Sequence, residues 1–477
     1  MLFNSISFAI FLPIVFGVYW SISHKYRWII LLLSSYYFYM SWNAKYIVLI
    51  IFTTCVSYFS ALLLKKFESK KKILLAVTLM AALGTLFFFK YFNFMAESIT
   101  KVSNLFAIPL HPFTLKLMLP VGISFYTFQT LSYVIDVYRG KVQPEHHFGK
   151  YAVFISFFPQ LVAGPIERTE NLLPQICKEH EFNYNQAVYG AKLMAWGYFK
   201  KIVIADNLAV FVDLIYNNVY AYKGFSLIAA IVFFAFQIYC DFSGYSDIAV
   251  GTAKLFGIDL MNNFRSPYFS ASIKEFWSRW HISLSTWFRD YVYITLGGNR
   301  KGRKKKYRNQ ILTFLVSGLW HGANWTFVLW GGVHGILQVT EDVLQVKISK
   351  RQEKVWKHFC SMGLVFTLVC LCWIFFRTET VGQSFYVLRH MLDGIIDIQE
   401  YILTGYRDLQ LSRVKVFRIG IPFVILLIYD YVSLKEDPIL FMGRFPGWVR
   451  WMIYYLLIFL IILIGNFGNT QFVYFQF

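Results

Sequence analysis

The feature that most constrains this chain is a recurrence. Apolar runs of about twenty residues return from one end to the other, and basic loops separate them. A helix needs about 20 apolar residues to cross the ~30 Å hydrocarbon core of a bilayer. In lipid each backbone N–H and C=O must be satisfied within the protein, so runs of this kind fold as helices. They lie near 4–22, 28–42, 46–64, 73–95, 117–137, 202–221, 225–250, 309–346, 358–376, 416–433 and 448–466. The expected fold is an all-α polytopic membrane protein. The expected organisation is a single integral-membrane domain over 1–477, with peripheral N-terminal spans (about 1–137), a core (about 150–346) and C-terminal spans (about 355–477).

Charge supports that reading. Only 15% of the residues are charged and 57% are hydrophobic, whereas soluble domains carry about a quarter charged residues. The net charge of +20 sits mostly between the apolar runs, as the positive-inside rule requires. No basic-aromatic module of the kind that reads nucleic acid is present, so the expected partners of these loops are anionic lipid headgroups. His24-Lys25-Tyr26-Arg27 follows the first run, Lys65-Lys66 and Lys70-Lys71-Lys72 the third, and Arg139 and Lys141 the fifth. If these alternate loops are cytoplasmic, the N-terminus is extracytoplasmic. The strongest basic run is 300–308. The first twenty residues lack a basic leading region and a small-residue cleavage site, so they read as a retained span. The six cysteines include no C-x-x-C pair and read as small buried hydrophobes, and no metal-ligand set is expected.

One run cannot be a single span. Residues 309–346 would make a helix of about 57 Å, roughly twice the hydrocarbon thickness. It must break, and Gly318, Gly322, Gly331 and Gly332 offer places. Broken backbone at membrane depth is tolerated only where protein or a watery cavity surrounds it. Residues 150–200 and 262–298 are poor spans and read as re-entrant or interfacial segments; 378–412 reads as an amphipathic helix and loop. No internal repeat supports an inverted-repeat transporter.

Two histidines lie in this awkward region. His321 sits in the break, between Trp320 and Gly322, with Trp325 as a second wall and Asn324 as a hydrogen-bonding group. An ionisable group at bilayer depth is expensive and usually faces a cavity. A neutral imidazole there can take the proton from a hydroxyl attacking an acyl carbon. The competing reading is a buried histidine that ties two helices together. His281 lies in Trp280-His281-Ile282-Ser283, beside Arg279 and Ser285; Trp277, Trp280 and Trp287 read equally well as an interfacial aromatic belt. His334 reads as packing. Asp241 and Tyr245 are four apart and share a helix face, as do Ser243 and Asp247. A carboxylate here would orient a histidine or pair with an arginine such as Arg289; a structural ion pair is the favoured reading. The 300–308 run can attract the phosphates of a nucleotide-like cosubstrate, although contact with anionic lipid is the commoner use. No G-x-S-x-G, H-E-x-x-H, Walker or dinucleotide motif occurs.

Seven motifs and the tail carry a resemblance. They are Phe157-Phe158-Pro159-Gln160-Leu161-Val162-Ala163-Gly164-Pro165-Ile166, Asp241-Phe242-Ser243-Gly244-Tyr245-Ser246-Asp247, Asn262-Asn263-Phe264-Arg265-Ser266-Pro267-Tyr268, Glu275-Phe276-Trp277-Ser278-Arg279-Trp280-His281-Ile282-Ser283, Trp287-Phe288-Arg289-Asp290-Tyr291, Gly297-Gly298-Asn299-Arg300, Gly318-Leu319-Trp320-His321-Gly322 and the closing Phe472-Val473-Tyr474-Phe475-Gln476-Phe477. Together they resemble the membrane-bound O-acyltransferase (MBOAT) family, in its bacterial branch of polysaccharide O-acetyltransferases of the alginate type. The resemblance implies a bundle of about eleven transmembrane helices with re-entrant segments around a central tunnel, in a bacterial plasma membrane. It implies His321 and His281 as the catalytic pair. Trp280, Trp320, Asn324, Arg279, Asp241 and Tyr245 are the tunnel candidates, and Arg300, Lys301 and Arg303 the candidates for donor phosphates. No bound cofactor is implied: acetyl-CoA is the expected donor substrate. The acetyl group would pass to an extracytoplasmic polysaccharide through a separate SGNH-type acetyltransferase partner. Two alternatives stand beside this. A D-alanyl transferase for teichoic acid, using a carrier-protein thioester, shares Trp280-His281 and Trp320-His321, but Gly297-Gly298-Asn299-Arg300 and the Tyr474-Phe475-Gln476-Phe477 tail favour acetylation. A proton-coupled transporter or flippase would also use intramembrane histidines.

Overall fold

The computed structural model describes residues 1–108, 113–162, 164–344, 355–468 and 472–473. The chain folds as two compact units, Met1–Met194 with Ile248–Met261, and Ala195–Asp247 with Asn262–Phe477. Among the described residues all regular structure is helical.

The first unit contains α1 (Ile6–Ser21), α2 (His24–Met40), α3 (Ile47–Lys66), α4 (Lys71–Leu86), α5 (Phe92–Leu105), α6 (Ile123–Tyr138), α7 (Phe148–Ser156), α8 (Phe158–Leu161), α9 (Thr169–Cys177) and most of α10 (Tyr184–Tyr198). Ser5 opens α1 by accepting the Phe8 N–H at 3.2 Å, which satisfies one of the donors that every helix start leaves open. A wider π-helical turn at Phe87–Tyr91 joins α4 to α5, so the fourth apolar run extends well past the expected 73–95. The core lies among α2, α3, α6 and α7. Several of its polar atoms are paired: Tyr151 donates to Ser57 Oγ at 2.7 Å, and the Gln129 and Gln160 amides both donate to the Phe154 carbonyl. The Phe157–Ile166 motif folds into α8 and a buried loop, with the Phe158 N–H on Ser35 Oγ. At nine and four residues, α7 and α8 are too short to cross a bilayer. Ala163 lies outside the described residues.

The second unit begins with the end of α10 and a π-helical segment, Phe199–Ala205, which leads into α11 (Asp206–Tyr216). It continues with α12 (Phe225–Leu255, shared with the first unit), α13 (Ile273–Arg279), α14 (Ile282–Phe288), α15 (Arg303–His321), α16 (Trp325–Val343), α17 (Val355–Arg377), α18 (Val381–His390), α19 (Ile398–Asp408), α20 (Arg413–Ser433), α21 (Pro438–Met442) and α22 (Gly447–Ile464). The overlong apolar run does break: α15 ends at His321, Gly322 is extended, and Asn324 caps α16 by accepting the Thr326 N–H. The two helices fold back on each other through glycines. A Cβ on Gly318 would overlap the Phe327 carbonyl, and one on Gly331 would overlap the Phe314 carbonyl. Only a residue without a side chain lets the backbones come this near, which is how small residues drive helix pairing in lipid.

Among the described residues six helices are long and apolar enough to cross a membrane: Ala44–Lys66, Glu68–Leu105, Phe225–Leu255, Val355–Arg377, Arg413–Ser433 and Gly447–Ile464. The expectation of about eleven is not reproduced by that measure. The physical reason is length: α1, α2 and α6 have 16, 17 and 16 residues. The region 378–412 forms two helices, α18 and α19, and α18 starts with a capping box between Thr380 and Gln383.

Candidate active site

His321 and His281 come together in the second unit, with ring centroids 6.4 Å apart. Both are buried, at 3% and 0% exposure. Their surroundings are aromatic. The His321 ring meets Trp320 and Trp330 edge-on at 5.0 Å each, and Phe376 at 5.4 Å. The His281 ring meets Phe242 edge-on at 4.6 Å and Trp320 at 6.2 Å. Trp320 therefore touches both imidazoles. Trp280, fully buried, stacks on Phe276 and packs against Phe264 and Trp373 just behind. The expectation that Trp325 walls this enclosure is corrected: Trp325 is 52% exposed, and Trp330 takes the place. The break in the helix turns residue 325 outward and brings residue 330, more than one turn later, back to His321.

The two histidines are held differently. His321 closes a regular helix, in the last turn before the break. His281 is the second of the two residues between α13 and α14, in the left-handed region with φ +43° and ψ +55°. An L-residue there costs about 1–2 kcal/mol, so the surroundings must hold it. Asn263 does this from the loop after α12. Its carbonyl accepts the Ile282 N–H at 2.9 Å, and its Oδ1 accepts from Ser283 Oγ at 2.6 Å and from the Ser283 N–H. On the other side the Arg265 N–H donates to the Arg279 carbonyl. The Asn262–Tyr268 motif is thus a clamp on the His281 turn.

The remaining candidates are placed as follows. Arg279 pairs with Glu275 at 2.5 Å, one turn earlier on the same helix. Asn324 is engaged at both ends of its amide, capping α16 and donating Nδ2 to the Glu379 carbonyl at 2.7 Å. Asp241 lies on α12, and its partner is not Arg289. Its Oδ1 is 2.6 Å from Lys201 Nζ, which also holds Asp206 at 2.7 Å, and its Oδ2 accepts the Val473 N–H at 2.7 Å. Arg289 pairs locally with Asp290. Lys200 reaches Asp247 at 2.7 Å and Ser243 at 2.9 Å, so the Ser243/Asp247 face meets the neighbouring lysine. Tyr245 packs on Phe472 at 4.8 Å, and Phe472 also packs on Phe242, the ring that abuts His281. Tyr474, Phe475, Gln476 and Phe477 lie outside the described residues. His334 is buried, accepts from Trp277 Nε1 at 3.3 Å and stacks between Phe276 and Phe314, in keeping with a packing role.

A cavity of about 470 Å³ opens beside the pair. Ser285, whose N–H donates to the His281 carbonyl, and Ser317, one turn before His321, both line it. Its cations are Lys274 and Arg289. Arg300, Lys301 and Arg303 are exposed and lie outside this lining. Among the described residues no group of three or more His, Cys, Asp or Glu side chains is arranged to hold a metal. Sequence reasoning missed Lys200, Lys201, Asn263 and Trp330. The adjacent lysines, followed at once by an apolar run containing Asp206, were the available signal for the ion network.

Similarity to known proteins bears on this pair directly. The model of the membrane-bound O-acyltransferase family matches residues 145–377, which include both histidines. The probable alginate O-acetylase AlgI of Pseudomonas putida is 36% identical over 437 residues, covering 90% of this chain and 87% of that protein. The chain belongs to the membrane-bound O-acyltransferase family. It is thus a multi-pass membrane acyltransferase, and membership of an enzyme family sets the transporter alternative aside. The peptidoglycan O-acetyltransferase of Helicobacter pylori is 34% identical over 395 residues, 76% of this chain and 74% of that protein. The teichoic acid D-alanyltransferase of Streptococcus thermophilus is 29% identical over 282 residues, 54% of this chain and 68% of that protein.

Proposed function

We propose that this acyltransferase moves an acetyl group from acetyl-CoA for O-acetylation of an extracytoplasmic polysaccharide, with His321 as general base and His281 as its partner. The observation that carries the reading is the juxtaposition of two buried imidazoles inside one aromatic enclosure, with a cation-lined cavity walled by Ile282 and Ser285, just after His281, and by Ser317, one turn before His321. In the transfer, the acceptor hydroxyl oxygen bonds to the acetyl carbon and the carbon–sulfur bond breaks. His321 takes the hydroxyl proton and returns it to the departing thiolate. A positioned general base of this kind contributes about 10²- to 10⁴-fold. The dry aromatic walls protect the thioester from water.

The donor would enter the 470 Å³ cavity, where Lys274 and Arg289 can meet its phosphates. Arg300, Lys301 and Arg303, exposed on the turn before α15, would act earlier by attracting the donor to the cytoplasmic face. The basic loops support a cytoplasmic assignment of that face, and with it an extracytoplasmic N-terminus. The relatives named for alginate and peptidoglycan O-acetylation support acetyl as the group and a glycan as the destination. A separate SGNH-type acetyltransferase would carry the acetyl group onto the polymer.

The test is donor discrimination. Purified protein in nanodiscs is given acetyl-CoA labelled in the acetyl group, or a D-alanyl carrier-protein thioester, each with an extracytoplasmic acceptor protein. Label transferred from acetyl-CoA alone is the expected result. Transfer from the D-alanyl carrier alone would replace the proposal with teichoic acid D-alanylation.

A further inference from the structure

The first unit holds a second cavity, of about 280 Å³, with no part in the chemistry above. Three segments supply its walls. The start of α2 gives His24, Lys25 and Arg27; the start of α7 gives His147 and Lys150; the end of α9 gives Lys178 and His180. No aspartate or glutamate lines it. Trp28 and Leu31, one turn further along α2, make an apolar wall beside the charged mouth.

The polar groups are set up to receive an anion. Arg27 is fixed by its own neighbourhood: Nε donates to the Ile22 carbonyl at 3.1 Å, Nη1 donates to the His180 carbonyl at 2.6 Å, and the guanidinium lies over the Trp20 ring. These contacts are all neutral, so the charge is positioned without being neutralised. Lys25, Lys150 and Lys178 form no ion pair among the described residues. His147 Nδ1 accepts the Lys150 N–H, which puts its ring hydrogen on Nε2 as a donor. His24 Nδ1 is buried with no partner. Glu145, two residues before His147, already accepts the His147 N–H at 2.7 Å and the Cys177 thiol, and Glu179, between Lys178 and His180, is exposed and outside the lining.

We infer that this cavity binds a phosphate-bearing anion, the headgroup of an anionic phospholipid. Two loops that both read as cytoplasmic from their charge, one after the first apolar run and one after the fifth, converge on it. Basic pockets between membrane helices on that side are suited to phospholipid headgroups. The apolar wall beside the mouth gives a lipid's glycerol and upper chain a place that a free phosphate would leave empty.

The experiment measures thermal unfolding of the full chain in phosphatidylcholine nanodiscs with increasing phosphatidylglycerol. The wild type should show a saturable rise in Tm. The K150Q/K178Q double variant should lose most of that rise, whereas K304Q/K305Q, which removes the same charge from the exposed start of α15, should keep it. Inorganic phosphate added to pure phosphatidylcholine discs is the second arm. A rise with phosphatidylglycerol but not with phosphate supports the lipid; an equal rise with phosphate keeps the anion site and overturns the lipid as its source. Equal losses in the two double variants, or no rise with either ligand, overturn the site. Should K150Q/K178Q fold poorly, K25Q replaces it, read by the phosphatidylglycerol retained in native mass spectrometry.

Discussion

His321 and His281 share one enclosure but are held there by opposite means. His321 ends a regular helix whose position is set by backbone contact, where Gly318 and Gly331 let α15 and α16 touch. His281 sits in a strained left-handed turn that hydrogen bonds donated by Ile282 and Ser283 to Asn263 keep in place. The first arrangement depends on absent side chains, the second on present ones. They should therefore fail differently: added bulk should destroy the His321 side, and a lost amide should loosen the His281 side.

The largest effect is expected from G331V. The new side chain would overlap the Phe314 carbonyl, and backbone has nowhere to yield. A loss on the order of 5 kcal/mol places it among the most damaging single changes. Folded yield by size-exclusion chromatography should collapse, and a monodisperse, active G331V protein would refute the glycine account.

D241A comes next. It leaves Lys201 buried with one carboxylate where it had two, and strips the Val473 N–H of its acceptor. Lys201 keeps Asp206, so the cost is that of the lost charge-assisted hydrogen bonds, about 2–3 kcal/mol. Thermal unfolding should register this, and a Tm equal to wild type would show that the network does not anchor the tail.

N263A removes the side-chain half of the clamp on the His281 turn, the two bonds from Ser283 to Oδ1. Loss of these bonds should cost about 1–3 kcal/mol. The clamped Ser283 lies between His281 and the cavity-lining Leu284 and Ser285, so kcat should fall and the KM for donor thioester should rise with it. An increase in KM alone would place Asn263 elsewhere in the mechanism.

The smallest effect concerns the strained residue itself. Asparagine tolerates the left-handed region and valine does not. H281N should therefore keep wild-type stability, while H281V should lose about 1–2 kcal/mol. Equal stability in the two variants would mean that the turn is not under strain.

This contrast also explains what could be read from the sequence. The break at His321 was legible because it follows from arithmetic: an apolar run twice the bilayer thickness, studded with glycines, has to fold back. The His281 turn was not legible, because its geometry depends on Asn263, eighteen residues earlier in the chain, and no local periodicity encodes that contact. Asp241 was rightly expected in a buried ion pair, but Arg289 was the wrong partner. Through-space distance is invisible in sequence, and Lys201 reaches Asp241 from a different helix. Trp325 was misplaced and Trp330 missed for a related reason. The break resets the helical phase, so position along the motif no longer predicts the buried face. The span count suffered because helices packed in a protein interior can be shorter than a free membrane span.

The account stands most directly on H321A. In nanodiscs, with folding verified by an unchanged Tm, thioester-dependent acyl transfer should fall by about 10²- to 10⁴-fold, the contribution of a positioned general base. H321A transferring acyl groups within a few-fold of wild type would contradict the role given to that imidazole.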